Sequence, residues 1–328
     1  MSEEDAAISD SQRRFDDLFD EGLERYARAE ATAGTIRQSF RVAGSSIEFR
    51  FAGPALAAAF SDAFRHLTHD LPGEPEFVFH IYDEASTGVG PPRVCWDLSE
   101  QSAHGEVASL IDAERYLHVE QPRRRLVAGH RAERRALVWL ADSTQVEAWE
   151  RGAPLLTLMN WWASRAGYFR IHGGAVGRPD GGVLIAGPGG AGKSHTAISC
   201  LESDLVYAGD DHCLLGTGGS PSVAGIYSTA KLFYADLHRF PVLARRQAEA
   251  VPTAEGKAIF FLNSIAPARL SAGFPLKAIL LPKPSGRRET IVAPGSPSSA
   301  FLHLGLESAL RWPSHRPDRL PAVSGFAP

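Results

Sequence analysis

The segment Gly187-Pro188-Gly189-Gly190-Ala191-Gly192-Lys193-Ser194 joins residue types that could do chemistry at a spacing that suits it. Glycines at 187, 189, 190 and 192, with Ala191, let backbone N–H groups turn inward around phosphate oxygens. Lys193 adds a point charge, and Ser194 offers a hydroxyl to Mg²⁺. A helix beginning here would direct its positive end at the same anion. Lysine otherwise occurs only at 231, 257, 277 and 283, so composition alone seldom yields the whole pattern. The competing reading is an accidental glycine turn in a chain with 31 glycines; an apolar strand pattern before the loop and a helical one after it weigh against that. The pattern specifies phosphate binding and leaves the reaction open, because ATPases, GTPases, kinases and transferases share it.

Sixteen residues beyond Ser194 stands Asp210, in Tyr207-Ala208-Gly209-Asp210-Asp211-His212. At the end of a strand parallel to the one before the loop, two adjacent carboxylates would face the same crevice. One can hold Mg²⁺ and the other can take a proton from an attacking hydroxyl. A solvated loop pair or a helix cap is the plainer alternative. Upstream, Arg170-Ile171-His172-Gly173-Gly174-Ala175-Val176 precedes the loop by one hairpin, with Gly177 to Gly181 as its turn. His172 would thereby lie close to the loop, either orienting a carboxylate or packed as a half-buried histidine. His195 adjoins the loop as a neighbouring contact for a nucleotide, and His212 adjoins the acids. Lys231, in Ile226-Tyr227-Ser228-Thr229-Ala230-Lys231, and Lys257, in Gly256-Lys257-Ala258, are candidates to clamp phosphate or substrate, with surface lysine as the alternative.

These groups need elements to hold them. Gly182-Val183-Leu184-Ile185-Ala186 and Leu205-Val206-Tyr207-Ala208 read as buried strands, Ser194 to Leu201 as a helix, and Ala278 to Pro282 as a later strand. Before them, residues 1–34 form a charged arm or helix, with Phe15, Leu18, Phe19, Leu23 and Tyr26 at helical spacing. Residues 35–150 alternate as an α+β module. It has a hairpin around Gly44-Ser45-Ser46, a helix over 54–67, and strands at 77–82, 126–129 and 135–140. From Val146 to Tyr168 a long helical pattern, with a break near Pro154, joins the halves. The expected organisation is a phosphate-binding α/β domain over 151–310, a smaller α+β domain over 35–150, and a Pro-rich tail over 311–328.

A formal net charge of -4 and pI near 6.3 give no global basic field, so neither nucleic acid nor an anionic membrane is expected as a partner. Cys95, Cys200 and Cys213 are far apart in sequence and form no paired framework, and no segment reads as a signal peptide or membrane span. A cytoplasmic location is the expectation.

Taken together, His172, the loop 187–194 and the pair Asp210-Asp211 resemble the catalytic domain of HPr kinase/phosphorylase, whose core is similar to that of phosphoenolpyruvate carboxykinase. The HGGAV, YAGDD and YSTAK segments also resemble those of HPr-kinase-like serine kinases encoded with ribosomally made peptides, including lasso-peptide tailoring kinases. The likeness runs from about Arg170 to Pro282. It implies an α/β fold of the HPr-kinase/PEP-carboxykinase type, with ATP and Mg²⁺ as cofactors. The implied acceptor is a hydroxyl of a protein or peptide, such as a serine or a lasso-peptide C-terminus. It further implies that Lys193 binds the β- and γ-phosphates, that Ser194 and Asp211 hold Mg²⁺, and that Asp210 is the base with His172 supporting it. The signature segment that accompanies phosphorolysis in HPr kinase has no counterpart here. A peptide-binding module gated by ATP without transfer stays open as the alternative, as does assembly into a homo-oligomer; carboxykinase chemistry lacks a matching set of basic residues.

Overall fold

The computed structural model describes residues 3–70, 73–121, 123–287 and 289–309. The tail expected over 311–328 lies outside them. The fold is mixed α/β, with several mixed sheets, and it divides into two compact units. Unit 1 comprises residues 1–61, 68–147 and 157–162; unit 2 comprises 62–67, 148–156 and 163–328. No helix among the described residues is long and apolar enough to cross a membrane.

Unit 1 opens with helix α1 (Glu3–Ala33), so the charged N-terminal segment is a helix and not an arm. Its stripe Phe15, Leu18, Phe19, Tyr26 and Ala29 is buried against Leu117, Leu126, Ala128, Leu137 and Trp139. That packing stabilises a helix whose polar composition alone would leave it marginal. The sheet beneath contains β1 (Thr35–Val42), β2 (Ser45–Ala52), β3 (Phe77–Asp83), β4 (Arg115–Glu120), β5 (Arg125–His130) and β6 (Arg135–Leu140), in the order β1-β2-β3-β6-β5-β4. The first hairpin turns at Ala43-Gly44, both at positive φ, one residue earlier than the glycine-serine pattern suggested. Helix α2 (Pro54–Phe60) stops at Ser61, and the expected continuation to Leu67 is a 3₁₀ segment, Asp62–Leu67, that belongs to unit 2. A one-turn helix, α3 (Glu84–Thr87), follows β3 and is capped by Asp83.

The long joining helix is not formed. Helices α4 (Ala148–Gly152) and α5 (Leu156–Arg165) are separate, and Tyr168 lies on a strand. Pro154 supplies no N–H, Leu155 sits at φ 55, and Gly167 at φ 76 ends the second helix.

Unit 2 continues with β7 (Tyr168–Ile171), β8 (Gly174–Arg178), β9 (Gly181–Ile185), helix α6 (Lys193–Ser199), β10 (Val206–Gly209), β11 (Cys213–Gly216), β12 (Ser222–Gly225), β13 (Thr229–Phe233), α7 (Pro241–Ala244), β14 (Val251–Pro252), β15 (Lys257–Phe261), β16 (Gly273–Leu280) and α8 (Pro297–Ala309). Seven strands form one sheet in the order β10-β8-β9-β16-β12-β11-β7, and β13-β15-β14 form another. Strands β9 and β10 run the same way, but β8 lies between them and opposes both, so the expected parallel neighbours belong to a mixed sheet.

The seven-stranded sheet must curl. In a flat sheet β10 and β11 would stand roughly 24 Å apart, five strand spacings, yet the step from Gly209 to Cys213 spans at most about 14 Å of extended chain. The same holds for β7 and β8, which are joined only by His172-Gly173. Ile171, Ala175, Leu184, Ala208, Cys213, Leu215, Val223 and Phe274 fill the fold of this curl. Both layer-changing links, 172–173 and 210–212, leave the sheet at one corner.

Candidate functional site

That corner gathers the residues singled out by sequence. Gly174 pairs with Ile185, the last residue of β9 before the glycine loop, and Ala175 pairs with Gly209, the last residue of β10 before the acids. Three chain segments, at His172, at Gly187 and at Asp210, therefore leave the sheet side by side. The approach demands a bare backbone: a Cβ on Gly173 would lie 2.6 Å from the Ile185 carbonyl, and the Gly173 carbonyl accepts from the Cys213 thiol at 3.3 Å. Gly173→Ala should accordingly cost about 1–3 kcal/mol of stability and weaken nucleotide binding together with it. Thermal melts and ATP titrations check this, and an unchanged melting temperature would contradict the packing argument.

The loop adopts backbone conformations suited to its glycines. Gly187, Gly190 and Gly192 have φ of 147°, 78° and 96°, whereas a side chain on Gly189 would meet open space. Ala191 donates to the Pro188 carbonyl at 3.1 Å, closing the tip, and α6 starts at Lys193. The Lys193 side chain is buried and curls back over its own loop, Nζ donating to the carbonyls of Gly187 at 2.7 Å and Pro188 at 3.1 Å.

The two acids occupy different surroundings. Asp210 is 6 % exposed; Oδ1 accepts from the Asp211 N–H at 3.0 Å, while Oδ2 is buried without a hydrogen-bond partner. Burial first, and then the neighbouring Asp211 charge, push its carboxyl up to about 8, against the opposing pull of the Ser194 hydroxyl and the N–H groups of Asp211 and Lys231. Asp211 keeps 31 % of its side chain exposed. Its φ is 65°, and the His212 N–H donates across it to the Asp210 carbonyl at 2.8 Å, a tight three-residue turn that non-glycine residues seldom adopt.

His172 is buried, with Nδ1 3.0 Å from the Asp211 carbonyl and 4.0 Å from its Oδ1. The 3.0 Å contact makes Nδ1 the donor. Its ring lies 6.2 Å from that of His212, whose own Nδ1 is 3.3 Å from the Arg170 guanidinium and so acts as acceptor. Arg170 and Tyr227, which the His212 ring meets edge-on, were not assigned roles from sequence. The available signal was strand alternation, which sets Arg170 and His172 two residues apart on one face.

The remaining candidates are placed less centrally. The Lys231 N–H faces Asp210, while its ammonium, with Lys257, holds exposed Glu255 below the usual carboxylate range, the Lys257 hydrogen bond acting most strongly. Lys257 pairs with Glu255 at 3.2 Å and covers the Phe233 ring. His195 turns to Asp236 at 3.3 Å and packs on Phe240. The hydroxyls of the YSTAK segment serve the fold: Tyr227 donates to Pro154, Ser228 to Ala63 and Thr229 to Gly152.

Among the described residues no cluster of three or more His, Cys, Asp or Glu forms a metal cage. Mg²⁺ needs none, since it takes one or two protein oxygens and fills its octahedron with phosphates and water. A buried carboxylate oxygen lacking a partner beside a loop serine fits that donor set. Compared with protein-family models and with curated proteins, the chain matches none.

Proposed function

We propose that this chain is an ATP-dependent kinase that transfers the γ-phosphoryl group to a hydroxyl of a peptide or protein, with the acceptor side chain a serine. The observation that carries the reading is the convergence at one corner of a lysine-bearing glycine loop, a serine and two carboxylates of unlike exposure. The resemblance of the same residues to the HPr-kinase catalytic domain supports it. Lys193 would exchange its two loop carbonyls for β- and γ-phosphate oxygens, and the N–H groups of 187–192 would cradle the same anion. Ser194 and one acid of the pair would hold Mg²⁺, which supplies neutralisation of phosphate charge when bound. The acceptor oxygen forms a bond to the γ-phosphorus as the bond to the β-bridging oxygen breaks. The electron pair leaves on ADP, and the hydroxyl proton passes to the other acid and then to water.

The free thiols Cys95, Cys200 and Cys213 accord with a cytoplasmic site of action. A second reading, an ATP-gated peptide-binding module, is favoured by one observation. Unit 1 carries a cleft of about 390 Å³ lined by Arg123, Arg124, Arg125, Leu140 and Asp142. The deciding experiment follows labelled γ-phosphate from ATP and Mg²⁺ to serine-containing peptides, with wild type and the double variant Asp210→Asn, Asp211→Asn. Label transferred by wild type alone is the expected outcome. Tight ATP binding with no transfer to any acceptor overturns the kinase reading in favour of the gated module.

A further inference from the structure

Resting on the kinase reading, the small sheet of unit 2 supplies the acceptor side of the site. We infer that Lys231, Phe233 and Lys257 form a platform for a carboxylate of the acceptor peptide, lying about two residues from the hydroxyl, and that Glu255 occupies it until the peptide arrives.

Strand geometry builds the platform. Lys231 and Phe233 are two apart on β13 and so share a face, and Phe233 pairs in register with Lys257 on β15. The residues of the other face, Ala230, Leu232, Ala258 and Phe260, are buried in the core of unit 2. Phe233, by contrast, is 48 % exposed, and the Lys257 ammonium covers its ring at 4.9 Å. Lysine stands at only five positions in the chain, one of them in the glycine loop, and two of the other four meet on this face.

Placement ties the platform to the acids. The Lys231 N–H faces Asp210, and the charges of both Lys231 and Asp211 reach Glu255. The platform therefore begins at the acid pair and runs outward along β13. From Lys231 to Phe233 is about 7 Å, two residues of extended chain. That span sets the expected separation between acceptor hydroxyl and carboxylate.

Glu255 shows what the platform holds. It sits at the tip joining β14 to β15, where the Thr253 N–H donates to the Lys257 carbonyl at 2.8 Å and the Gly256 N–H to the Thr253 carbonyl at 3.1 Å, with Gly256 at φ 74°. The turn delivers its carboxylate to Lys257 at 3.2 Å. That bond first, and then the charges of Lys231 and Lys257, hold it below the usual carboxylate range. The Glu255 side chain is 66 % exposed, so water competes for the pair and an incoming carboxylate displaces it readily. A peptide carboxylate seated there gains more, because the Phe233 ring and the peptide itself exclude that water.

The test uses the full chain with ATP, Mg²⁺ and amide-capped serine peptides carrying Asp or Asn two residues from the serine. A third peptide has no acidic side chain and ends in a free carboxylate at that separation, which distinguishes the two sources of the group. Wild type should favour the Asp over the Asn peptide by roughly 5- to 20-fold in kcat/KM, through KM. Lys257→Gln should bring that ratio within about 2-fold and leave the KM for ATP unchanged, and Glu255→Gln should lower the KM for the Asp peptide. Lys257→Glu should turn the preference toward a peptide with Lys in the same place, which loss of structure alone would not do. Transfer by wild type without preference among the three peptides overturns the platform and leaves the kinase reading standing. A raised KM for ATP in Lys257→Gln, with the peptide ratio intact, does the same. Where no peptide is labelled, fluorescence anisotropy of the same peptides separates the two claims. Tighter binding of the Asp peptide, lost in Lys257→Gln, keeps the platform while the kinase reading falls, and equal binding of all three overturns both.

Discussion

Asp210→Asn should melt at a higher temperature than wild type at pH 8.5 and at nearly the same temperature at pH 4, in metal-free buffer. The folded carboxyl is raised to about 8 from an ordinary 3.8, chiefly by burial, so the native state holds its proton more tightly than the unfolded chain. Below pH 4 both states are protonated and Asp210 carries no penalty. As pH rises toward 8 the unfolded chain ionises while the native one resists, and the stability associated with the protonated form is progressively lost. An asparagine cannot ionise and escapes this loss. The difference should grow to a few kcal/mol, since each tenfold gain in proton affinity corresponds to about 1.4 kcal/mol, or roughly 5–10 °C in melting temperature for a chain of this size. Differential scanning calorimetry across pH 4 to 9 measures it; an equal gain at both ends would show that burial of the charge is not the cause. The same substitution should abolish metal-dependent function, the usual relation between a strained site and stability.

Lys193→Ala should lower phosphoryl transfer by roughly 10²- to 10³-fold or more, the scale seen when a donor to developing charge is removed, and should weaken ATP binding as well. Lys193 is 7 % exposed and its ammonium already lies within the loop, so its charge acts where water screens it poorly. Lys193→Arg should not rescue. The planar guanidinium is wider than an ammonium and cannot sit between the Gly187 and Pro188 carbonyls in the same way. Single-turnover transfer and equilibrium nucleotide titration separate the two effects. Full activity in the alanine variant would remove the loop from the chemistry altogether.

How much of this was legible in the sequence depends on the range of the interaction. The glycine loop was legible because the residue types it needs are local: three positive φ angles and a lysine, all within eight positions. The hairpin that sets His172 beside the loop was legible for the same reason, its turn falling at Pro179-Asp180. The break between α4 and α5 was half legible: Pro154 announced it, but Leu155 in the left-handed region gave no sign, because nothing in a leucine favours that conformation. The curl of the sheet was not legible. It follows from which strands pair, and β16 achieves it by pairing with β12 through 273–275 and with β9 through 276–280. The unlike burial of Asp210 and Asp211 follows from that curl, and two identical neighbouring letters cannot announce it.

The hydroxyls of Tyr227 and Ser228 bear on how such a chain can be inherited. Tyr227 holds the carbonyl of Pro154, and Ser228 holds that of Ala63, whose neighbour Asp62 also accepts from Asn263. Phe64 packs its ring on Tyr227 at 5.2 Å. Unit 2 thus owns six residues, 62–67, encoded well before the rest of it, which resumes at 148, and those residues are sewn into its interior by side chains from its middle. A gene fragment starting near residue 151 would leave Ser228 and Asn263 without the carbonyls of Ala63 and Asp62, and Tyr227 without the ring of Phe64. Neither half can be traded between genes as a cassette, and a relative that exchanged the first half wholesale would have to bring its own version of residues 62–67.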